Sequence, residues 1–475
     1  MALALCLTAA AAACGSSGGK SPGAGGSPGT GGAAGQAGGG GSSGSGGSSS
    51  GGSGGSGSGG SGGSSAGRDG GSSCANPQLT FGRIATGDTN PYFTSAVGAR
   101  TATDLLVFNG YYGPAPGGDG GGASLPYVYV QAFDETTRAS KGPAQMLFAV
   151  ADPGREGMNM EAVAVAPTGQ IALLYSHSNN PLYAAFLAPA TGADGGVAGL
   201  TVLESNLVVG PVFTHSGGTI ESAHVFWSNA TQSFVVSWVG DAYTESIAEF
   251  SATGDQVAGG VAAVRTDNGT TAGNVTENCA GASGDLLAID WLSGIPGKNQ
   301  TGITVYDTSG TQVGGFTYVA SQPNGLAELA GTANGFVLVY APETGGLTTT
   351  GVFIPATASG LADAGSFPTY TLSIPGGTAL GLRAISDDVG TGGAGGVGLA
   401  LMGATSTSFA YVHADGTTVG GPVSVFGSGA QNSYSQVSLT NINGSFVMTV
   451  FQLTVNAGNG LPSMFSTQIA ASGCN

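Results

Sequence analysis

The hydrophobic pattern of this chain changes near residue 77. The first part is almost entirely Gly, Ser and Ala, whereas the rest carries short apolar runs bounded by polar residues and glycine. One kind of run, rich in Val, Leu, Phe and Trp, recurs seven times at a spacing of roughly 50 to 65 residues. These runs are DLLVFNG (104–110), QIALLYS (170–176), SFVVSWVG (233–240), LLAIDWL (286–292), GFVLVYA (335–341), GVGLALMG (396–403) and SFVMTVF (445–451).

Runs of this length and composition predict buried β-strands and not helices of ten or more residues. Another strand precedes each run and two follow it, with glycines at the turns, as at Gly254, Gly310 and Gly416. Four antiparallel strands per unit, in seven units, predict an all-β fold, a seven-bladed β-propeller. Six or eight blades are the alternatives.

The last unit has only three predicted strands, since its third strand, PSMFSTQIAA (462–471), is close to the end of the sequence. An unassigned strand, PQLTFGRIAT (77–86), precedes the first unit. We expect the propeller, residues 74–475, to be closed by pairing of strand 77–86 with the last blade, which covers an open strand edge.

Cys74 and Cys474 flank these two strands. A disulfide between them would replace the turn that joins the corresponding strands in the other blades. In the chain-entropy model a loop of this size is stabilised by ~4–5 kcal/mol. The alternative is three unpaired or differently paired thiols; with the predicted bond, Cys279 would remain as a buried, inert thiol.

The first 13 residues, MALALCLTAAAAA, form an apolar segment of signal-peptide length that ends in small residues. Cys14, followed by Gly15, fits a lipobox in which the cysteine is lipidated after cleavage. An ordinary cleaved signal peptide is the alternative. Residues 14–73 have too little apolar surface to fold, and we predict a disordered, lipid-anchored Gly/Ser-rich linker.

This order of lipobox, Gly/Ser-rich tether and β-propeller-like head resembles bacterial surface lipoproteins of Gram-negative species. The resemblance covers the layout of the whole chain, and its one motif-level residue is Cys14. It implies lipid anchoring in the outer membrane, because Gly15 and not Asp follows the cysteine. If Cys14 is not lipidated, we expect a secreted protein. The resemblance supplies no catalytic pattern.

Composition limits the partners. With 10 Lys and Arg against 27 Asp and Glu, the formal net charge is −17, which repels phosphate backbones and anionic lipid headgroups. We therefore predict no nucleic-acid partner, and contact with a membrane through the lipid anchor only. No apolar run after the N-terminal segment reaches the length of a membrane-spanning helix.

Motifs for chemistry are few. The four histidines lack zinc-site spacing, although His215, Glu221 and His224 are close in sequence, and no D-x-D-x-D-G calcium loop occurs. We predict no metal and no cofactor. Serine-hydrolase and sialidase-like patterns give no catalytic assignment.

Two groups are candidate binding residues. Asp241, Tyr243 and Glu245 place carboxylates and an aromatic ring near a strand connection, where they could act on or stack against a sugar, or simply be solvated. Tyr111 and Tyr112 fall in a long predicted insert, and loops carry function more often than strands do. Trp227, Trp238 and Trp291 are expected to pack between blades and not to form a ligand platform.

The predicted function is an exported, lipid-anchored protein that presents a propeller as a non-enzymatic binding module for a protein or glycan at the cell surface. The alternative is a propeller enzyme, a hydrolase or lyase, that acts on extracellular polysaccharide. Convergence of three or more ionisable groups at one mouth of the ring would favour the enzyme.

Overall fold

The structure is a computed structural model in which the chain divides into Met1–Gly67 and Arg68–Asn475. The residues described are 78–84, 93–101, 104–113, 125–134, 139–150, 158–177, 182–190, 199–210, 223–240, 244–257, 275–293, 300–307, 311–313, 317–321, 325–342, 348–357, 360–361, 367–373, 379–386, 396–403, 406–413, 422–427, 434–442, 445–453 and 462–470. All of them belong to the second unit. The signal peptide, the linker, Cys14, Cys74 and Cys474 lie outside the described residues.

The described chain forms seven antiparallel sheets, which are the seven blades predicted from the sequence. Blade 1 contains β2 (Phe93–Arg100), β3 (Asp104–Gly113), β4 (Leu125–Asp134) and β5 (Gln145–Ala149). Blade 2 contains β6 (Met158–Val165), β7 (Ile171–His177), β8 (Leu182–Pro189) and β9 (Leu200–Gly210). Blade 3 contains β10 (Ala223–Ser228), β11 (Ser233–Gly240) and β12 (Thr244–Phe250); residues 258–274, which follow, are not described.

Blade 4 contains β13 (Val275–Ser283), β14 (Leu286–Ser293), β15 (Gln300–Asp307) and β16 (Thr317–Ser321). Blade 5 contains β17 (Gly325–Thr332), β18 (Gly335–Pro342), β19 (Thr348–Thr357) and β21 (Thr369–Ser373), with the short β20 (Gly360–Leu361) paired to the end of β19. Blade 6 contains β22 (Ala379–Ser386), β23 (Val397–Gly403), β24 (Ser406–Val412) and β25 (Val423–Gly427). Blade 7 contains β26 (Tyr434–Ile442), β27 (Ser445–Leu453) and β28 (Pro462–Ala470).

Blade 7 receives its fourth strand from the other end of the chain. β1 (Gln78–Ile84) pairs antiparallel with β28, from Gln78 opposite Ala470 to Ile84 opposite Met464, without a register shift. This is the pairing that the sequence predicts. The outer edge of β28 is covered, and the ring is joined by segments from both ends of the fold.

The first strands of the seven blades contact one another in a closed order, β2, β6, β10, β13, β17, β22, β26 and back to β2. Two glycines permit this close approach. A Cβ on Gly331 of β17 would lie 1.5 Å from the carbonyl oxygen of Ala282 in β13. A Cβ on Gly98 of β2 would lie 2.1 Å from Thr449 Oγ1 in blade 7.

The core consists of layers between neighbouring blades, because a sheet buried on both faces presents apolar side chains to each side. The seven predicted apolar runs form the second strand of every blade, and all residues of β23 are buried. The layers contain Phe108 and Leu173 (blades 1 and 2), Phe186 and Trp238 (2 and 3), Val235 and Leu287 (3 and 4), Ile303 and Phe336 (4 and 5), Val337 and Leu399 (5 and 6), Phe409 and Phe446 (6 and 7), and Val447 and Leu105 (7 and 1).

The predicted glycine turn is present after the third strand of blade 3. Gly254 has a φ of 95°, its N–H donates to the Ser251 carbonyl, and Val257 returns to pair with Glu249. In blade 4 the Val313 N–H donates in the same way to the carbonyl of Val305. Gly310 and Gly416, the other two predicted turn glycines, are outside the described residues.

Candidate functional site

Ionisable side chains lie on several of the first strands, which surround the axis of the ring. Glu161 is on β6, His224 on β10 and Glu328 on β17. Glu161 and Glu328 are buried, with 7% and 4% of their surface exposed. Charged groups in such positions require partners, since loss of hydration disfavours an isolated buried charge.

His224 and Glu328 form a pair between two blades that are not neighbours. His224 Nδ1 lies 3.8 Å from Glu328 Oε1, and the two side chains are 12% and 5% exposed. They belong to blades 3 and 5, which are separated in the ring by blade 4. We call these two residues the axial pair.

Strand alternation assigns each of these two side chains to one face of its blade. On β10, Ala223 and Val225 pack into the layer between blades 2 and 3, so that His224 belongs to the opposite face. On β17, Ala327 and Leu329 pack towards blade 4, and Glu328 therefore lies on the other face. Both first strands adjoin the axis, where residues of distant blades can meet.

An imidazole beside a carboxylate is chemically versatile. Imidazole and carboxylate groups can exchange a proton with a ligand or hold a polar one. Within the part of the chain that the structure describes, no three His, Cys, Asp or Glu side chains come together as a metal site would require.

Glu161 has a different partner. It falls at a register shift in the pairing of β6 with β7, between Met160 and Ala162. A β-bulge of this kind redirects a side chain out of the regular alternation. Ser176 Oγ donates a 2.6 Å hydrogen bond to Glu161 Oε1 inside blade 2.

Two of the predicted binding residues around β12 lie outside the described chain. Asp241 and Tyr243 precede β12, whereas Glu245 is in β12, with its backbone opposite Val239. The side chain of Glu245 is not among those described. Nearby Glu249 is buried and accepts a 2.9 Å hydrogen bond from Ser233 Oγ. It is therefore part of the interior of blade 3.

The loop placement of Tyr111 and Tyr112 was wrong. β3 continues to Gly113, and the two residues pair with Tyr127 and Pro126 of β4. The physical reason is that tyrosine favours strands and that β4 supplies backbone partners up to Leu125. Their side chains are not described, so their proposed role in binding stays a prediction.

The tryptophan prediction is confirmed for two of the three residues. Trp238 is 5% exposed in the layer between blades 2 and 3, and Trp227 packs against this layer. The Trp227 ring meets Phe234 edge-on at 4.9 Å between centroids. Trp291 lies in β14, but its side chain is not described.

Sequence reasoning missed the axial pair. It grouped His224 with His215 and Glu221, which lie outside the described residues, because the three are close in sequence. Glu328 is far away in sequence. The available signal was a single ionisable residue within an otherwise apolar first strand, AHVFWS for β10 and GLAELAGT for β17.

None of the described residues forms a helix of the length and hydrophobicity that crossing a bilayer requires.

Neither a protein-family model nor a curated protein sequence matches this chain. Among solved structures, it is similar to a lectin from Aleuria aurantia in complex with α-methyl-L-fucoside, with 14% identity, coverage of 66% of this chain and 96% of the lectin, and a TM-score of 0.40. It is also similar to the polysaccharide lyase Uly1, with 11% identity, coverage of 81% and 91%, and a TM-score of 0.44. The β-propeller domain of Cps50 (Swd1) from Myceliophteria thermophila shares 10% identity, with coverage of 82% and 99% and a TM-score of 0.40. The seven blades are assigned from the sheets of this chain itself.

Proposed function

We propose that this chain is an exported, lipid-anchored surface protein whose propeller is a non-enzymatic binding module, and that its ligand is a neutral glycan. The observation that carries the proposal is the way in which the buried carboxylates are used. Ser176 binds Glu161, Ser233 binds Glu249, and His224 lies beside Glu328. Carboxylates engaged by neighbouring blades or strands stabilise the scaffold, which leaves recognition to the connections between strands.

The ring supports a binding role because all seven blades run between the same two faces. Connections from every blade therefore meet at those faces, and a ligand can be contacted by several of them. The net charge of −17 favours an uncharged ligand, because it repels uronic and sulfated glycans. A neutral sugar, held by hydroxyl hydrogen bonds and aromatic stacking, meets no such repulsion.

The test is binding of the immobilised full chain to an array of neutral and acidic glycans at low salt. We expect saturable binding to neutral glycans and weaker binding to acidic ones. Tyr243→Ala should reduce binding, while Tyr243→Phe, which keeps the ring, should retain it. Binding to acidic glycans only, or to a surface protein and no glycan, would overturn the glycan assignment.

The lipid anchor is tested separately. We expect the intact mass of protein from its native membrane to include acyl chains on an N-terminal Cys14, with residues 1–13 removed. Cys14→Ser should release the protein from the membrane fraction without changing its glycan binding. An unacylated N-terminus produced by cleavage elsewhere would instead make this a secreted protein.

One observation favours an enzyme as the second candidate. The axial pair places an imidazole 3.8 Å from a carboxylate, and these are residue types that general acid–base catalysis uses, so a polysaccharide could be cleaved there by proton transfer. In that case incubation with extracellular polysaccharides should yield new reducing ends, and Glu328→Gln should abolish them. Glu161→Gln is the matched control, since Glu161 is held by Ser176. No cleavage by the unaltered protein would exclude this candidate.

A further inference from the structure

The axial pair lies at one level along the first strands. His224 is four residues before Ser228, the last residue of β10, and Glu328 is four residues before Thr332, the last residue of β17. Both strand ends lead through a short turn into the second strand of the blade. Equal distances from equivalent turns therefore bring the two side chains to the same height around the axis.

Blade 4 lies between these two blades, and Cys279 occupies the same level on its first strand. It is four residues before Ser283, the last residue of β13. The packing of β13 on β17 gives the same alignment, because a Cβ on Gly331 would collide with the carbonyl oxygen of Ala282. Three residues before these two positions are Glu328 and Cys279. The side chain of Cys279 is not among those described, so this step rests on its backbone position.

A buried hydroxyl lies next to the axial pair. Ser237 of β11 is directly opposite His224, so the two side chains share one face of blade 3. Ser237 is fully buried, and its Oγ has no hydrogen-bond partner among the described residues. Since a buried hydroxyl without a partner is costly, Ser237 is a ready partner for a polar group bound beside the imidazole.

We propose that His224, Cys279 and Glu328 bind one Zn²⁺ ion at the axis, between blades 3, 4 and 5. Imidazole, thiolate and carboxylate groups are the ligands that zinc takes in proteins. Two ligand atoms of a tetrahedral zinc ion are about 3.4 Å apart. His224 Nδ1 and Glu328 Oε1, which are 3.8 Å apart, therefore need little movement. Three protein ligands leave the fourth position to a water molecule, which the Ser237 hydroxyl can hydrogen-bond.

The surroundings favour a cation of this type. Asp290 is directly opposite Cys279 in β14, within an otherwise apolar run, and the chain has a net charge of −17. Ca²⁺ and Mg²⁺ prefer oxygen ligands, whereas a set with thiolate and imidazole selects zinc. The prediction of no metal depended on ligand spacing along the chain, which cannot detect ligands that come from three blades.

The test is calorimetric titration with Zn²⁺ alone of the full chain, after removal of metal by dialysis against a chelator. We expect one Zn²⁺ ion per chain. Cys279→Ser, His224→Gln and Glu328→Gln should each weaken binding by about tenfold or more. Glu161→Gln is the matched control, because Glu161 lies on the first strand of blade 2 and is bonded to Ser176. It should bind Zn²⁺ as the unaltered chain does.

Co²⁺ in place of Zn²⁺ gives a direct readout of the cysteine ligand. Bound Co²⁺ should show thiolate-to-metal charge-transfer absorption in the unaltered chain and lose it in Cys279→Ser. The absorption should persist in the Cys74→Ser, Cys474→Ser double variant, whose altered residues are not ligands. Circular dichroism of the metal-free proteins verifies that each variant is folded.

Three results would overturn the site: no Zn²⁺ binding by the unaltered chain, Zn²⁺ binding that Cys279→Ser leaves unchanged, or no thiolate absorption with Co²⁺. Unsaturable binding of several ions, unaffected by the three substitutions, would show an adventitious ion only. The site does not depend on glycan recognition, so glycan-array binding of the metal-free chain is measured separately. A negative result for zinc leaves the glycan proposal intact.

Discussion

At the scale of single residues, Tyr175 shows how one side chain joins two blades. Its ring stacks on Tyr183 at 5.6 Å between centroids, and its hydroxyl accepts a 2.9 Å hydrogen bond from the N–H of Asn206. Asn206 has a φ of 57°, a left-handed conformation that asparagine tolerates, and its side-chain amide donates to the carbonyl of Ala149 in blade 1. Burial raises the pKa of the Tyr175 phenol above its usual range.

This shift predicts alkaline destabilisation. The unfolded tyrosine loses its proton near pH 10, whereas the folded one retains it, so its contribution is complete below pH 10 and is lost as the pH rises towards the folded pKa. The free energy of unfolding, measured by urea titration, should therefore be lower at about pH 10.5 than at about pH 8. Tyr175→Phe should reduce this fall and cost roughly 1 to 3 kcal/mol at the lower pH. Burial also raises the pKa of Tyr370, and this residue accounts for part of the fall that remains.

Gly98 is the residue on which the junction of blades 7 and 1 depends. Its N–H donates a 2.9 Å hydrogen bond to Ser438 Oγ, and Thr449 occupies the space of a Cβ. Gly98→Ala should lower the free energy of unfolding by about 1 to 3 kcal/mol through overpacking. Gly142→Ala, where a Cβ would meet nothing within 4 Å, should cost far less. Equal losses in the two variants, measured by urea unfolding, would contradict this account of the junction.

At the scale of elements, β1 is distinctive because it is the first described strand and completes a blade whose other strands, β26 to β28, are the last three. Its seven residues pair with β28 without a bulge, while several other pairings, such as β8 with β9, contain register shifts. A regular pairing matters here because β28 would otherwise present an open edge to another chain.

Removal of β1 should therefore weaken the ring and promote association. A chain that begins at residue 86 should show a lower Tm and concentration-dependent oligomers by light scattering, since β28 would be unpaired. A chain that begins at residue 74 lacks the leader and linker but keeps β1, and it should match the full-length protein. A monomeric chain of unchanged Tm without β1 would show that β28 needs no partner.

At the scale of the whole molecule, the seven apolar layers make each blade depend on two neighbours. Phe446 shows this in the layer between blades 6 and 7, where it is fully buried and contacts Phe409 and Tyr411. A Cβ on Gly398 of blade 6 would lie 2.5 Å from its ring. Because the contacts continue round the ring, we expect the blades to unfold together.

Phe446→Ala tests this cooperativity. The cavity should lower the free energy of unfolding by about 3 to 5 kcal/mol. The three tryptophans lie in blades 3 and 4, away from Phe446, yet their fluorescence transition should shift by the same amount as the circular dichroism of all strands. An unchanged fluorescence transition beside an earlier loss of circular dichroism would show that blade 7 unfolds alone.

The sequence by itself determined the class of fold and favoured seven blades over six or eight. Each second strand is an apolar run of about seven residues, and its length and its content of Val, Leu and Phe favour a strand covered on both faces over a helix. The glycine turn at Gly254 and the spare strand before blade 1 were readable for the same reason, since local backbone preference and the cost of an open edge are properties of short segments.

Only the tertiary structure decided which distant residues meet. His224 and Glu328 come together because first strands of blades 3 and 5 both adjoin the axis, and nothing in either strand encodes the other. Likewise, the bulge at Glu161 and the extension of β3 through Tyr111 depend on the partner strand that supplies the hydrogen bonds. Local pattern sets what each strand is, whereas side-chain proximity across a ring depends on the packing of all its blades.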